Sequence, residues 1–192
     1  MSDTVLLVSE QRLKQWTQLD DNVRMNEITP HILTAQEIYI QNALGTLMFN
    51  RIKAGIVAQD LNVNEIDLLK NYIGPTLMQY ALYLILPSIK YKVVNQGVVN
   101  GTSEETSATT LDELKYLRTT VLDTAEFYNK RLVKFFADNP GMFPQYDAPG
   151  TDGMYPDKTN PYFSGLVTGQ SNLNYYEEKY GECTDCGPAA TY

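Results

Sequence analysis

The sequence predicts a mainly α protein: a helical bundle of about five helices, with a β-hairpin inserted near residues 90–102 and a long irregular C-terminal arm. Three observations predict it. Apolar residues recur at three- and four-residue spacing through most of the first 146 positions. One stretch, Lys92 to Thr102, changes to β-branched residues around an Asn/Gly turn. Beyond Tyr146 the helical period stops, and Gly, Pro, Asn and Tyr take over. The expected organisation is a helical body over residues 1–146 and an extended arm over residues 147–192.

The elements follow in order. Val5 to Val8 is a short apolar stretch that can pair as an edge strand or simply pack. Ser9 has the chemistry of an N-cap for a short helix over Arg12 to Trp16. Trp16 is the chain's single tryptophan and is expected to anchor this piece to the body. Leu19-Asp20-Asp21-Asn22 is a polar turn. Thr29-Pro30 reads as a cap followed by proline at the first helical position. That helix carries Ile32, Leu33, Ile38, Tyr39 and Leu44, and Gly45 ends it. Thr46 then caps a helix through Leu47, Phe49, Ile52 and Ile56. Asn62 or Asn64 caps another through Ile66, Leu69 and Ile73.

Gly74-Pro75 is expected to break the chain and restart it as a helix. From Leu77 to Leu86 that helix is apolar on nearly every side, which demands burial all round. It is either the centre of the bundle or pressed against a neighbouring subunit. Val93, Val94, Val98 and Val99 flank Asn95-Gln96-Gly97 and predict the hairpin. Thr102 to Thr110 has the Ser/Thr/Glu composition of a mobile loop. The longest helix is expected from Leu111 to Ala137, with Leu114, Leu117, Val121, Ala125, Tyr128, Leu132 and Phe136 as its inward stripe. Asp112 and Glu113 suit its first turn, and Lys130, Arg131 and Lys134 suit its end. Asn139-Pro140-Gly141 stops it.

The chemistry of the side chains points away from catalysis. His31 is the sole histidine, and it falls in the first turn of a predicted helix. Nucleotide-binding glycine motifs and a nucleophile elbow are absent from the sequence. No run of basic residues is interleaved with aromatics, as a nucleic-acid reader would show. The net charge of −8 makes adhesion to phosphate backbones or anionic lipid weak or repulsive. No signal peptide is read in Met1 to Val8, and Leu77 to Leu86 is too short for a bilayer, so the chain is expected in a cytoplasm, with no membrane partner. Cys183 and Cys186 form a C-x-x-C in an acidic, loop-like context. A redox pair or a half zinc site is the sharp reading of these two, and a plain terminal loop the bland one. No cofactor is expected.

Tyrosine is abundant, at 14 of 192 residues. Its large amphipathic ring suits protein interfaces. The interface candidates are therefore the hairpin residues Val93, Val94, Asn95, Gly97, Val98 and Val99, and the aromatics Phe143, Tyr146, Tyr155, Tyr162, Phe163, Tyr175, Tyr176 and Tyr180. Disordered tails are poor in aromatics, so the arm is expected to order on a partner surface or fold back on its own body. Fully extended it could reach about 140–160 Å.

An ordered set of short patterns adds a resemblance. The runs L-L-V-S-E-Q-R-L-K, L-D-D-N-V and I-L-T-A-Q-E-I-Y-I-Q-N-A-L-G-T-L-M-F lie in the first third of the chain. K-V-V-N-Q-G-V-V follows at 92–99, A-E-F-Y-N-K-R-L at 125–132 and F-P-Q-Y at 143–146. Together, over about residues 5–146, they resemble tailed-phage head–tail connector (adaptor) proteins. The resemblance implies a structural virion protein at the head–tail junction, present in the host cytoplasm during assembly. It implies a homo-oligomeric ring, usually a dodecamer, beneath the portal protein. Such a ring extends the DNA channel, offers a platform for the next tail or stopper component, and lets packaged DNA pass without specific binding. It implies no enzymatic activity. The alternative from the residues alone is a cytoplasmic helical regulatory or ligand-binding protein, with Leu77 to Leu86 lining a pocket.

Overall fold

The computed structural model describes residues 5–94, 97–100, 110–147 and 153–158. The chain divides into two compact units, Met1–Asn160 and Pro161–Tyr192. The second unit lies outside the described residues. The body therefore runs past the boundary expected at 146, because residues 153–158 pack back onto it.

The body is mainly helical. Helix α1 spans Glu10–Trp16, and the Ser9 hydroxyl accepts from the Arg12 amide at its start. Helix α2 spans Met25–Ala35. It begins more than a turn before the expected Thr29-Pro30, so Pro30 stands inside it. Pro30 is exposed, so the carbonyl deprived of a donor can turn to water. A π-helical turn, Gln36–Ile40, leads into α3, Gln41–Ala58. Helix α3 is interrupted at Gly45, where φ is 73° and ψ 162°. The expected helix end thus becomes a kink between two helical pieces.

Helix α4, Val63–Leu68, opens on a reciprocal cap between Asn62 and Glu65. Glu65 is buried, and Arg51 of α3 reaches it through two bonds of 2.8 and 2.9 Å while also bonding Asp60. This fork fixes the α3–α4 corner. Gly55 leaves room there for Leu61, since a methyl group at 55 would collide with Leu61 Cδ2.

A second π turn, Leu69–Ile73, joins α4 to α5, Gly74–Lys90. The break expected at Gly74-Pro75 is absent, and Gly74 is itself helical. The physical reason is visible in the bonding. The Gly74 amide donates to the Leu69 carbonyl, a bond five residues back. In that wider register Pro75 is the residue that would have served Lys70, and its missing N–H is absorbed at one carbonyl instead of ending the helix.

Helix α5 is the hub. It packs on α2, on α6 (Leu111–Asp138) and on both π turns. Leu77, Met78, Tyr80, Ala81, Leu82 and Ile85 are buried, and Gln79, Tyr83, Leu84 and Leu86 are partly exposed. Tyr80 stacks on Tyr39 with ring centroids 3.8 Å apart. Burial, with Glu126 nearby, pushes the Tyr80 phenol up to about 12. Helix α6 buries Leu114, Val121, Ala125, Leu132 and Phe136. Leu117, expected on that stripe, is 40% exposed. Its cap is the reciprocal Thr110–Glu113 pair. Because α6 runs on to Asp138, its last turn holds no basic residue, and Lys134 pairs with Asp138 instead.

Strand β1, Tyr91–Val94, pairs antiparallel with β2, Gly97–Asn100, with Tyr91 opposite Asn100 and Val94 opposite Gly97. A two-stranded ladder of this length is marginal alone in water. After α6 a turn leads to α7, Pro144–Asp147, which packs on α3. No described helix is long and apolar enough to cross a membrane.

The N-terminal stretch neither forms a strand nor merely packs. Gln36, at the first π turn, is 2% exposed. Its side-chain oxygen accepts from the Leu7 amide at 2.7 Å, and its side-chain nitrogen donates to the Val5 carbonyl at 3.1 Å. One amide side chain thus stands in for a neighbouring strand. Replacing Gln36 by Ala should cost about 1–3 kcal/mol, because a buried backbone donor loses its partner. Urea unfolding should show the loss, and hydrogen exchange at the Leu7 amide should lose its protection.

Candidate functional site

The residues expected at interfaces divide into four groups. Phe143 and Tyr146 are corrected: they are 3% and 4% exposed and belong to the body's own core. Tyr146 stacks on Phe136 at 3.9 Å, and Phe143 meets the same ring edge-on at 5.3 Å. Both close the end of α6 against α7, so neither ring is offered to a partner. Tyr155 is 62% exposed and remains at the surface. Val93, Val94, Gly97, Val98 and Val99 are placed by the ladder alone, and Asn95 lies outside the described residues. So do Tyr162, Phe163, Tyr175, Tyr176, Tyr180, Cys183 and Cys186. The loop expected from Thr102 lies outside them as far as residue 109.

His31 sits on α2, half-buried, and that burial lowers its imidazole below the usual value. Among the described residues no three His, Cys, Asp or Glu side chains gather as a metal would require. The apolar run Leu77 to Leu86 does not line the cleft described below; Pro75 is the only residue of α5 that does.

Two features went unread in the sequence. The first is a clasp. The break at Gly45 frees backbone groups that an unbroken helix would consume. Residues 153–158 take them up. The Thr46 amide donates to the Met154 carbonyl and the Asp157 amide to the Asn42 carbonyl, each at 2.9 Å. The Thr46 hydroxyl accepts from the Met154 amide at 2.8 Å. Pro156 is buried over the break, and a methyl group at position 45 would lie 2.8 Å from its Cδ. Gly45 is required twice, by a backbone region essentially confined to glycine and by this close approach. Lys158 ends the clasp, its ammonium 5.4 Å from the Tyr146 ring centre.

The second is a cleft of about 260 Å³ beside the second π turn. Arg12 and Trp16 come from α1, Lys70 and Tyr72 from the turn, and Tyr128 and Arg131 from α6. The Lys70 carbonyl orphaned by Pro75 accepts from Arg12 Nη2 at 3.3 Å, which draws α1 to this spot. Arg131 lies over the Tyr72 ring at 5.0 Å, and Tyr72 stacks on Phe135 at 4.1 Å. Trp16 is 54% exposed at the cleft wall instead of anchoring its helix in the core; Leu13, fully buried, does the anchoring. Basic and aromatic side chains do interleave, then, but only after folding brings three distant segments together. Arg131 thereby acquires a role that balancing the end of a helix does not describe.

The exposed side of α6 adds an apolar face. Tyr116 is 77% exposed and Phe127 62%. They lie about three turns apart, on one side of the helix.

Comparison with known proteins gives one family. The model of a family of unknown function, DUF6712, matches residues 40–153, more than half of the chain. No curated protein and no solved structure matches.

The clasp yields a direct expectation. Gly45→Ala should destabilise the body by about 1–3 kcal/mol from backbone strain alone. It should also open residues 153–158 to limited proteolysis. Pro156→Gly, which leaves Gly45 untouched, should expose the same segment with a smaller loss of stability.

Proposed function

The chain belongs to DUF6712, a family of unknown function, and we propose that it is a head–tail connector (adaptor) subunit of a tailed-phage virion. In this reading copies form a ring below the portal protein, extend the DNA channel and present a platform to the next tail component. The subunit performs no catalysis, binds no cofactor and passes DNA without gripping it.

The observation that carries the reading is a body with a closed core whose outside is unfinished in two places. Helix α6 buries one stripe and leaves Leu111, Tyr116, Leu117 and Phe127 between 40% and 77% exposed on other faces. Among the described residues the two strands pair only with each other, and a sheet of two strands has edges to which a neighbour's strand can add. Apolar side chains on a helix flank and the edges of a two-stranded sheet are what a neighbouring subunit would cover. Heterologous contacts of that kind close into rings when the rotation allows. The charge of −8 supports a lumen that does not hold DNA. The resemblance of the ordered short patterns to connector proteins supports it as well. A ligand-binding helical protein built on Leu77 to Leu86 is less well supported, since α2 and α6 pack over that stretch of α5.

Immunogold labelling of the virions that carry this chain should mark the vertex where head meets tail, and negative-stain images of that vertex should show a ring. Particles free of label, with the chain confined to the host-cell lysate, contradict the reading. Phe127→Glu should abolish the ring while changing stability by no more than about 0.5 kcal/mol, as expected for an exposed position.

A further inference from the structure

We propose that the cleft beside the second π turn is a binding site for a carboxylate presented by an acidic peptide segment, with an aromatic or apolar side chain next to the acid. The proposal holds whether or not the chain sits in a virion.

The argument starts from charge. The chain carries 23 acidic residues against 15 basic ones. Yet Arg12, Lys70 and Arg131 converge on one cleft from three different elements. Among the described residues, none of the three makes an ion pair. Asp67, one turn before Asn71, accepts a hydrogen bond from the Asn71 side chain and forms no ion pair with these cations. In an acidic molecule, a group of uncompensated cations is a local field of the opposite sign. It attracts an anion small enough to feel the cleft more than the whole surface.

The cations are also positioned. Arg131 is held over Tyr72, itself stacked on Phe135. A guanidinium over a ring face keeps its N–H donors available for a planar, bidentate acceptor. Arg12 uses one donor on the Lys70 carbonyl, and a guanidinium has five. The π turn makes this possible, because it leaves that carbonyl without a backbone donor. Sites of ligand contact often sit on such turns.

The walls choose the kind of anion. Trp16, Tyr72 and Tyr128 supply aromatic surface around the cations. The volume of about 260 Å³ takes one or two side chains, given that a water occupies about 30 Å³. Bases of a nucleic acid could stack on the aromatic walls, but its polyanionic backbone would meet the repulsion of a molecule of charge −8. A peptide acid flanked by an apolar side chain uses both the charge and the walls.

Trp16 is the only tryptophan of the chain, so its fluorescence reports on the cleft in the unlabelled full-length protein. The probes are the peptide acetyl-Tyr-Glu-Glu-amide, inorganic phosphate and a short DNA duplex. The peptide should shift Trp16 emission saturably, and Arg131→Gln should weaken its binding by about tenfold or more, as loss of a charged hydrogen-bond partner does. Lys130→Gln, adjacent in sequence but outside the cleft, should leave binding unchanged, and both variants should melt like the parent. Phosphate or DNA binding as tightly as the peptide would overturn the assignment of the ligand. Equal weakening by Lys130→Gln, or no saturable shift with the peptide, would overturn the site.

Discussion

The body depends on one constraint: α5 has almost no polar face. A helix with Leu77, Met78, Tyr80, Ala81, Leu82 and Ile85 buried can exist in water only if other elements surround it. Each of its large side chains contributes about 1.5–3 kcal/mol when removed from water. Helices α2 and α6 and both π turns supply the cover. The long α6 is amphipathic for this reason, with one stripe on the core and the rest outside. Among the described residues three polar side chains, Gln36, Glu65 and Thr76, are buried, and each is bonded. Gln36 holds the N-terminal stretch, Glu65 is forked by Arg51, and Thr76 donates back to the Tyr72 carbonyl at 2.7 Å.

Irregularities in the helices are where the non-helical chain attaches. Gln36 opens the first π turn and receives Val5 and Leu7. The kink at Gly45 receives Met154, Pro156 and Asp157. The second π turn, with Pro75 behind it, gives Arg12 its carbonyl. In two of the three cases the interruption frees a backbone group, and a segment remote in sequence takes it up. This follows from the need to pair buried or half-buried backbone polar groups. It also shapes the cleft: α1 is anchored by Leu13, and the bond from Arg12 to the Lys70 carbonyl ties it to the second π turn.

Much of the body was legible in the sequence because local chemistry dictates it. Ser9 was legible as a cap and Asn62 as one of two candidates with Asn64, and both cap in the structure; Thr110, read as the end of a mobile loop, caps α6 as well. The buried stripe of α6 follows its apolar spacing, with Leu117 falling to the edge. Gly45 was readable as an interruption, though not as a kink within one run. The π turns were not legible, since a bond to the fifth residue back leaves no mark in composition. For the same reason Gly74-Pro75 looked like a stop. The start of α2 was missed because Arg24 provides no side-chain cap. Phe143 and Tyr146 were misplaced because an aromatic residue just past a helix suits a core and an interface equally. The clasp joins positions 46 and 154, and the cleft joins residues near 12, 70 and 131. Such meetings are properties of the fold, and no window of sequence contains them.

Residue-resolved hydrogen exchange under native conditions tests the central claim most directly. If α5 is the axis on which the rest is built, the amides from Leu77 to Ile85 should exchange only through global unfolding. The Thr46 amide and those of residues 154–157 should exchange sooner, through local opening. Exchange of the α5 amides by a local opening, while those of α2 and α6 stay protected, would contradict the account.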